Sequence, residues 1–228
     1  MAETTRQAKE RGFWDRQAPG YDQRSFEWFE TAYRRSVEKA RSVVSPEQQV
    51  LEIGCGTGII SLGIAPHVRH VIGTDIAPEM VAVARRKAEA AGMGNVEFHV
   101  HDGYALPYDD ASFDAVLLFN ILHVVQEPAA LMREAHRLLK PGGHLVTATD
   151  CYAEPVPLKA RLYLTAQRLL KVTGAVPFLA YYRRADLHRL FQENAFEIVD
   201  TDVLQPVPVN YYIRAQNKCL GPTERQDD

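Results

Sequence analysis

Apolar and polar positions fall into alternating blocks along this 228-residue chain. Short strands are predicted at 49–53, 70–74, 96–100 and 115–119. The continuous apolar run at 115–119 suits a buried strand of a parallel sheet. Helical spacing fills the intervals. Residues 78–90 start with Pro78 and stop before Gly92, the expected asymmetry of helix ends. Residues 128–139 repeat the proline-first pattern and put Leu131, Ala135, Leu138 and Leu139 on one face. A short helix is predicted over 58–65, ended by Pro66, and Pro141-Gly142-Gly143 turns into a further strand at 144–148. This β-α alternation predicts a doubly wound parallel sheet with right-handed crossovers.

The flanks differ in character. A helical lead-in is predicted over 25–43, with Ser25 as its N-cap and Pro46 in the following turn. The polar first dozen residues and the polar tail from 221 read as loose ends. After the fifth strand, 155–173 has an amphipathic pattern, with Leu158, Leu162, Ala166, Leu169 and Leu170 on one side. A loop with Gly174 and Pro177 follows, then a helix at 185–193. Two strands at 197–203 and 207–213, joined around Pro206, read as an antiparallel hairpin. The organisation expected is one domain over 1–228, a helical lead-in over 1–45 and a helical cap over 151–184.

Composition narrows the class. With 46% hydrophobic and 24% charged residues, the chain has the make-up of a packed soluble domain. A formal net charge of −3 argues against a general nucleic-acid binder. Cys55, Cys151 and Cys219 have no CxxC spacing, and the eight histidines show no ligand spacing, so no metal is expected. No apolar run has bilayer length, and the first residues lack the apolar core of a signal peptide. The expected location is cytoplasmic.

The candidate chemistry starts at residues 50–62, Val-Leu-Glu-Ile-Gly-Cys-Gly-Thr-Gly-Ile-Ile-Ser-Leu. An apolar strand runs into glycines at alternate positions and then into a helix, a turn where backbone meets a ligand closely. Asp75, ending the next strand, can accept both hydroxyls of a ribose, which points to a nucleoside-bearing cofactor. A P-loop requires Lys and Ser or Thr after its last glycine, but Ile59-Ile60 follow Gly58. A dinucleotide fingerprint requires a third glycine at position 59, where Ile59 stands.

Five ordered blocks resemble the class I S-adenosylmethionine-dependent methyltransferases. They are Glu52 to Gly58, Asp75, His101-Asp102-Gly103, Leu106 to Asp114, and Leu139 to Leu145. The blocks are similar to the small-molecule branch that includes ubiquinone and menaquinone methyltransferases, as is the opening Phe13 to Asp22. The match covers roughly residues 13 to 150. The resemblance implies a Rossmann-like sheet of seven strands, mostly parallel, with the last strand antiparallel and inserted. It also implies methyl transfer from S-adenosylmethionine, with S-adenosylhomocysteine as coproduct.

It further implies a binding scheme. Gly54, Cys55, Gly56 and Gly58 approach the methionine part, Asp75 takes the ribose hydroxyls, and Ile76 packs on adenine. Asp102 accepts the adenine amino hydrogen beside the Gly103 amide, and Met80 closes the adenine slot. Asn120 faces the methionine amino group or sulfonium, and Tyr21 covers the cofactor. Plainer roles stand beside these: Asp75 as a helix cap, Asp102 as a turn residue, Met80 as core, Tyr21 as a buried anchor. Cys55 reads as a packing residue, Glu52 as an acceptor beneath the loop, and His99 and His101 as packing or surface residues.

His123, in Phe119-Asn-Ile-Leu-His-Val124, is the candidate general base, with a loop-holding role as its alternative. The cap mixes Lys159, Arg161, Arg168, Lys171, Arg183, Arg184 and Arg189 with Leu162, Tyr163, Leu169, Phe178, Leu179, Tyr181 and Tyr182. Such a surface suits a small-molecule acceptor with an apolar body and an anionic or aromatic part, or peripheral contact with an anionic membrane. The rivals to a soluble small-molecule methyltransferase are a membrane-surface quinone or phospholipid methyltransferase, a non-catalytic cofactor-binding module and an oxidoreductase. A nucleic-acid methyltransferase is disfavoured, because Asn120-Ile-Leu-His replaces the Asn/Asp-Pro-Pro-Tyr type of signature.

Overall fold

The computed structural model describes residues 4–155 and 178–217. Two helices, α1 (Thr5–Gln17) and α2 (Tyr21–Arg41), precede β1 (Gln49–Ile53). There follow α3 (Ile59–Ile64), continued by a 3₁₀ turn over Ala65–His67, then β2 (His70–Asp75), α4 (Pro78–Ala90), β3 (Val96–Val100) and β4 (Phe113–Phe119). Next come α5 (Pro128–Leu138), β5 (Leu139–Cys151), α6 (Arg184–Glu193), β6 (Phe196–Pro206) and β7 (Val209–Asn217).

The seven strands form one sheet in the order β3-β2-β1-β4-β5-β7-β6. β1 to β5 pair in parallel, and β7 runs antiparallel between β5 and β6, as the resemblance implies. Both faces are covered at the centre of the sheet, so β1, β2 and β4 are almost continuously buried, whereas the edge strands β3 and β6 are partly exposed. Leu51, Val116 and Leu118 face a core that includes Leu131, Leu138 and Phe191. Their neighbours Val50, Ala115 and Leu117 face the opposite core with Ile60, Ile64, Val81 and Ala84. Successive side chains of a strand point to opposite faces, so each short apolar run supplies both layers. The strand order reverses between β1 and β4, leaving a crevice at their carboxyl ends where open α/β sheets bind ligands.

The sequence reading is corrected at the N-terminus. The polar first dozen residues are mostly helix α1, whose start is secured by a capping box between Thr4 and Gln7. Asp15 Oδ1 accepts from the Glu79 amide at 3.0 Å, tying α1 to the start of α4. Helix α1 has no fully buried residue, so no apolar stripe betrays it in the sequence. Ser25 is buried inside α2 rather than capping it; the cap is Gly20, at φ 68°. β5 is longer than expected because it pairs with β4 from Leu139 and with β7 as far as Cys151. The helix expected at 155–173 and the cap residues 156–177 lie outside the described residues, as does Cys219. Among the described residues, no helix is long and apolar enough to cross a membrane.

Gly73 in β2 holds the layers close. A Cβ there would stand 2.6 Å from Phe98 Cδ1 and 3.1 Å from Cys55 Cβ. Phe98 is itself buried and has no slack to give. Gly73→Ala is therefore expected to lower unfolding free energy by about 1–3 kcal/mol in urea titration. Wild-type stability in that variant would show that the contact is relaxed in solution.

Candidate active site

The site grows from the loop between β1 and α3. Gly54, Gly56 and Gly58 all adopt positive φ, at 74°, 53° and 77°, conformations that cost other residues energy. The Gly54 and Cys55 amides donate to the Thr74 carbonyl at 2.7 and 2.9 Å, and the Gly56 amide donates to Asp75 Oδ2 at 2.9 Å. The loop is thus folded over the end of β2. A Cβ on Gly54 would meet Ile121 Cδ1 at 2.3 Å, whereas one on Gly56 would meet nothing within 4 Å. Gly56 leaves its backbone open to a cleft. Gly58 instead caps α3 and packs against Phe98 and Ala84, behind the cleft.

That cleft holds about 970 Å³, open solvent at its mouth included. Of the residues expected at a cofactor site, Tyr21, Gly54, Cys55, Gly56, Asp75, Ile76, Met80, Asp102, Gly103 and Asn120 line it; Gly58 does not. The cleft therefore offers bare backbone at one end and carboxylates near the other, a fit for an adenosine carrying an amino-acid tail.

Burial governs the electrostatics. Asp75 is nearly buried, and desolvation pushes its carboxyl up to about 6 despite backbone bonds from Ala77, Gly56 and Ile76. Its Oδ1 accepts from the Ala77 amide at 2.9 Å, so it also braces the turn into α4. Each carboxylate oxygen keeps a further lone pair for a ligand hydroxyl. Glu52 lies beneath the loop, its Oε2 accepting from the Ser61 amide at 2.9 Å and from the Ser61 hydroxyl. Burial raises its carboxyl to about 8. Burial likewise pushes the Cys55 thiol well up, which leaves it unsuited to nucleophilic work.

Asp102 Oδ2 accepts from Gln7 Nε2 at 2.7 Å and from Arg6, so α1 reaches over this side of the cleft. Met80 lines the cleft and is 1% exposed, in a cluster with Ala18 and Ala77. The Tyr21 hydroxyl lies 3.1 Å from that of Tyr33, and burial raises the phenol's pKa. His101 joins the lining, and burial lowers its pKa.

Asn120 ends β4 at φ 56°, its amide donating to Ala148 at 2.7 Å. Its side chain faces a second cavity of about 1330 Å³, solvent included. Trp14, Tyr21, Tyr33 and Val124 also line both cavities. His123 belongs to the second one. It is 6% exposed, its Nδ1 has no hydrogen-bond partner, and its ring meets Tyr152 edge to face at 5.7 Å. Desolvation lowers its pKa against an opposing pull from Asp150, so the imidazole is neutral at pH 7.

Several lining residues escaped the sequence reading. Asn210 of β7 donates to Asn120 Oδ1 and Asp150 Oδ1, both at 2.8 Å, and Tyr152 donates to Asp150 Oδ2 at 2.9 Å. Nothing local in sequence announces this network. Trp14 lay within the noticed opening block and Tyr33 in the predicted lead-in; Glu10 lay in the segment read as loose.

Comparison with known proteins follows this geometry. Residues 51–147 match a family model described as a methyltransferase domain. The chain is 38% identical over 131 residues to a demethylmenaquinone methyltransferase of Clavibacter sepedonicus, covering 58% of this chain and 52% of that protein. It is 39% identical over 102 residues to a ubiquinone biosynthesis O-methyltransferase of Xanthomonas axonopodis pv. citri, covering 44% and 42%. The chain thus spans about half the length of the curated relatives it matches. In fold it is similar to magnesium protoporphyrin IX methyltransferase of Synechocystis PCC 6803 with bound SAH, at TM-score 0.73 and 20% identity, covering 93% and 99%.

The raised Glu52 carboxyl has a pH consequence. A folded-state pKa of about 8 against an ordinary 4.5 makes the folded protein bind the extra proton. Its stabilising effect is full below pH 4.5 and is lost as pH rises toward 8. Glu52→Gln is expected to remove most of that decline when urea midpoints are compared from pH 5 to 8.5. Parallel pH profiles for the two proteins would contradict it.

Proposed function

We propose that the protein is a class I, S-adenosylmethionine-dependent methyltransferase that methylates a small, quinone-like acceptor, a reading supported by the match of residues 51–147 to a methyltransferase domain. The carrying observation is the pair of adjoining cavities, which share Trp14, Tyr21, Tyr33, Asn120 and Val124 as walls. One has the features of a donor site. The other is large, rich in aromatic side chains such as Phe13, Trp28 and Phe29, and ends in polar groups. The names of the quinone-pathway relatives support an aromatic acceptor.

In this reading S-adenosylmethionine, when bound, supplies a methyl group on a positively charged sulfur, ready for in-line displacement. The chain's residues position and deprotonate. The backbone from Gly54 to Gly56 holds the amino-acid tail, with Gly58 setting the loop from behind. Asp75 takes the ribose hydroxyls, and Ile76 and Met80 wall the adenine. Asp102 and the Gly103 amide read the base edge. Asn120 orients the methionine end toward the second cavity, and Tyr21 covers it. His123 accepts a proton from an acceptor hydroxyl, a role its neutral ring allows. Exclusion of water by the aromatic walls favours loss of the sulfonium charge. The division into one methyltransferase unit with a cap over 151–184, and a cytoplasmic setting, belong to the same reading.

A second reading places the same reaction at a membrane surface. Trp28 lines the second cavity yet is 72% exposed. Such a rim would admit a lipid-like acceptor. Co-sedimentation with anionic vesicles, lost in Trp28→Ser, would support it, and absence of wild-type binding would remove it.

Calorimetry is expected to show one S-adenosylhomocysteine bound per chain, about tenfold more weakly in Asp75→Asn. With a panel of quinols and phenols, turnover should release S-adenosylhomocysteine. His123→Ala should lower kcat by about 10²–10⁴ and abolish the acid limb of the pH profile while sparing cofactor affinity. An unchanged limb would remove His123 as base, and absence of all binding would sink the methyltransferase reading.

A further inference from the structure

Helix α1 contributes a carboxylate to the donor cleft that the binding scheme does not use. Glu10 lines the cleft near Asp102, Gly103 and Tyr104. Its side chain is 12% exposed. One oxygen, Oε2, pairs with Arg6 at 2.5 Å, and the other, Oε1, is buried without a partner. Leaving a charged oxygen buried and unbonded costs free energy that a ligand donor would recover. Arg6 completes the arrangement: it bonds Asp102 as well as Glu10, and its guanidinium lies 4.7 Å from the centre of the Tyr104 ring. One cation therefore holds two carboxylates at the same end of the cleft.

The chemistry of the ligand follows from that pairing. An adenine amino group has two hydrogens and needs two acceptors to be fully satisfied. A keto group in its place has none to give. Asp102 supplies one acceptor in the proposed scheme, and the Glu10 side chain lines the same end of the cleft. We propose that Glu10 is a cofactor-binding residue, its carboxylate accepting the second hydrogen of the adenine amino group. Arg6 and Gln7 act as positioning residues: they set Asp102, and Arg6 also fixes the Glu10 carboxylate. Helix α1 is thereby part of the donor site rather than a cover laid over it.

This inference rests on the S-adenosylmethionine reading and is tested by binding alone. Calorimetry would compare S-adenosylhomocysteine with S-inosylhomocysteine, in which a keto oxygen replaces the amino group. The full chain would be used as wild type, Glu10→Gln and Glu10→Met. Wild type should favour the adenine ligand strongly. Glu10→Met should weaken the adenine ligand about tenfold, scarcely alter the inosine ligand and so cut the preference by the same factor. Glu10→Gln, which keeps a carbonyl acceptor, should retain most of the preference. Equal weakening of both ligands in Glu10→Met would mean a structural role for Glu10, and no weakening of either would mean no role; both overturn the proposal. Failure of wild type to bind either ligand would instead defeat the underlying cofactor reading.

Discussion

The bond from the Gly56 amide to Asp75 is the constraint on which the site depends. With the Gly54 and Cys55 amides both on the Thr74 carbonyl, it folds the β1 loop across the carboxyl end of β2. The fold-over requires left-handed backbone at Gly54, Gly56 and Gly58. Each glycine has a distinct reason to lack a side chain. At Gly54 Ile121 fills the space, at Gly58 Phe98 does, and at Gly56 the space is left open to the cleft. The loop therefore brings bare backbone to a ligand while Asp75 stays in place beneath it. Desolvation holds the Asp75 carboxyl at about 6, still ionised at neutral pH and ready to accept.

The remaining elements are arranged around that turn. The switch in strand order puts the ends of β1 and β4 side by side, so Asn120 opens onto the same crevice as the glycine loop. Helix α2 is fixed to the loop through Asp22, which meets the Thr57 hydroxyl and Lys87 Nζ, the latter at 2.6 Å. Lys87 also donates to the Thr57 carbonyl at 2.9 Å, joining α2, the loop and α4 in one polar knot. With α2 held there, Tyr21 and Tyr33 form the wall between the two cavities. The antiparallel β7 then brings Asn210 beside Asn120 and Asp150, linking the crevice to the second cavity.

Much of this was legible in sequence, and the exceptions share a cause. β1, α4 and β3 have the bounds read from the sequence, because short strands with apolar positions and a proline-led helix carry local signals. The glycine loop and Asp75 were legible because backbone conformation there depends on residue type. Helix α1 was not, since its side chains make their contacts with Asp102, Tyr104 and Glu79 rather than with a core of their own. Ser25 looked like a cap, but a cap is defined by what precedes it, and Gly20 already starts the helix. The Asn120–Asn210 pair joins residues 90 positions apart, a register set by the whole sheet rather than by either segment. His123 was found from its place after β4, yet its unpaired Nδ1 and its Asp150 neighbour emerged only from packing.

The most direct measurement is a crystal structure of the full chain with S-adenosylhomocysteine. The account predicts the tail against the Gly54–Gly56 backbone, the ribose on Asp75 and the sulfur beside Asn120, facing the second cavity. A ligand seated elsewhere, or one whose sulfur turns away from that cavity, would contradict it.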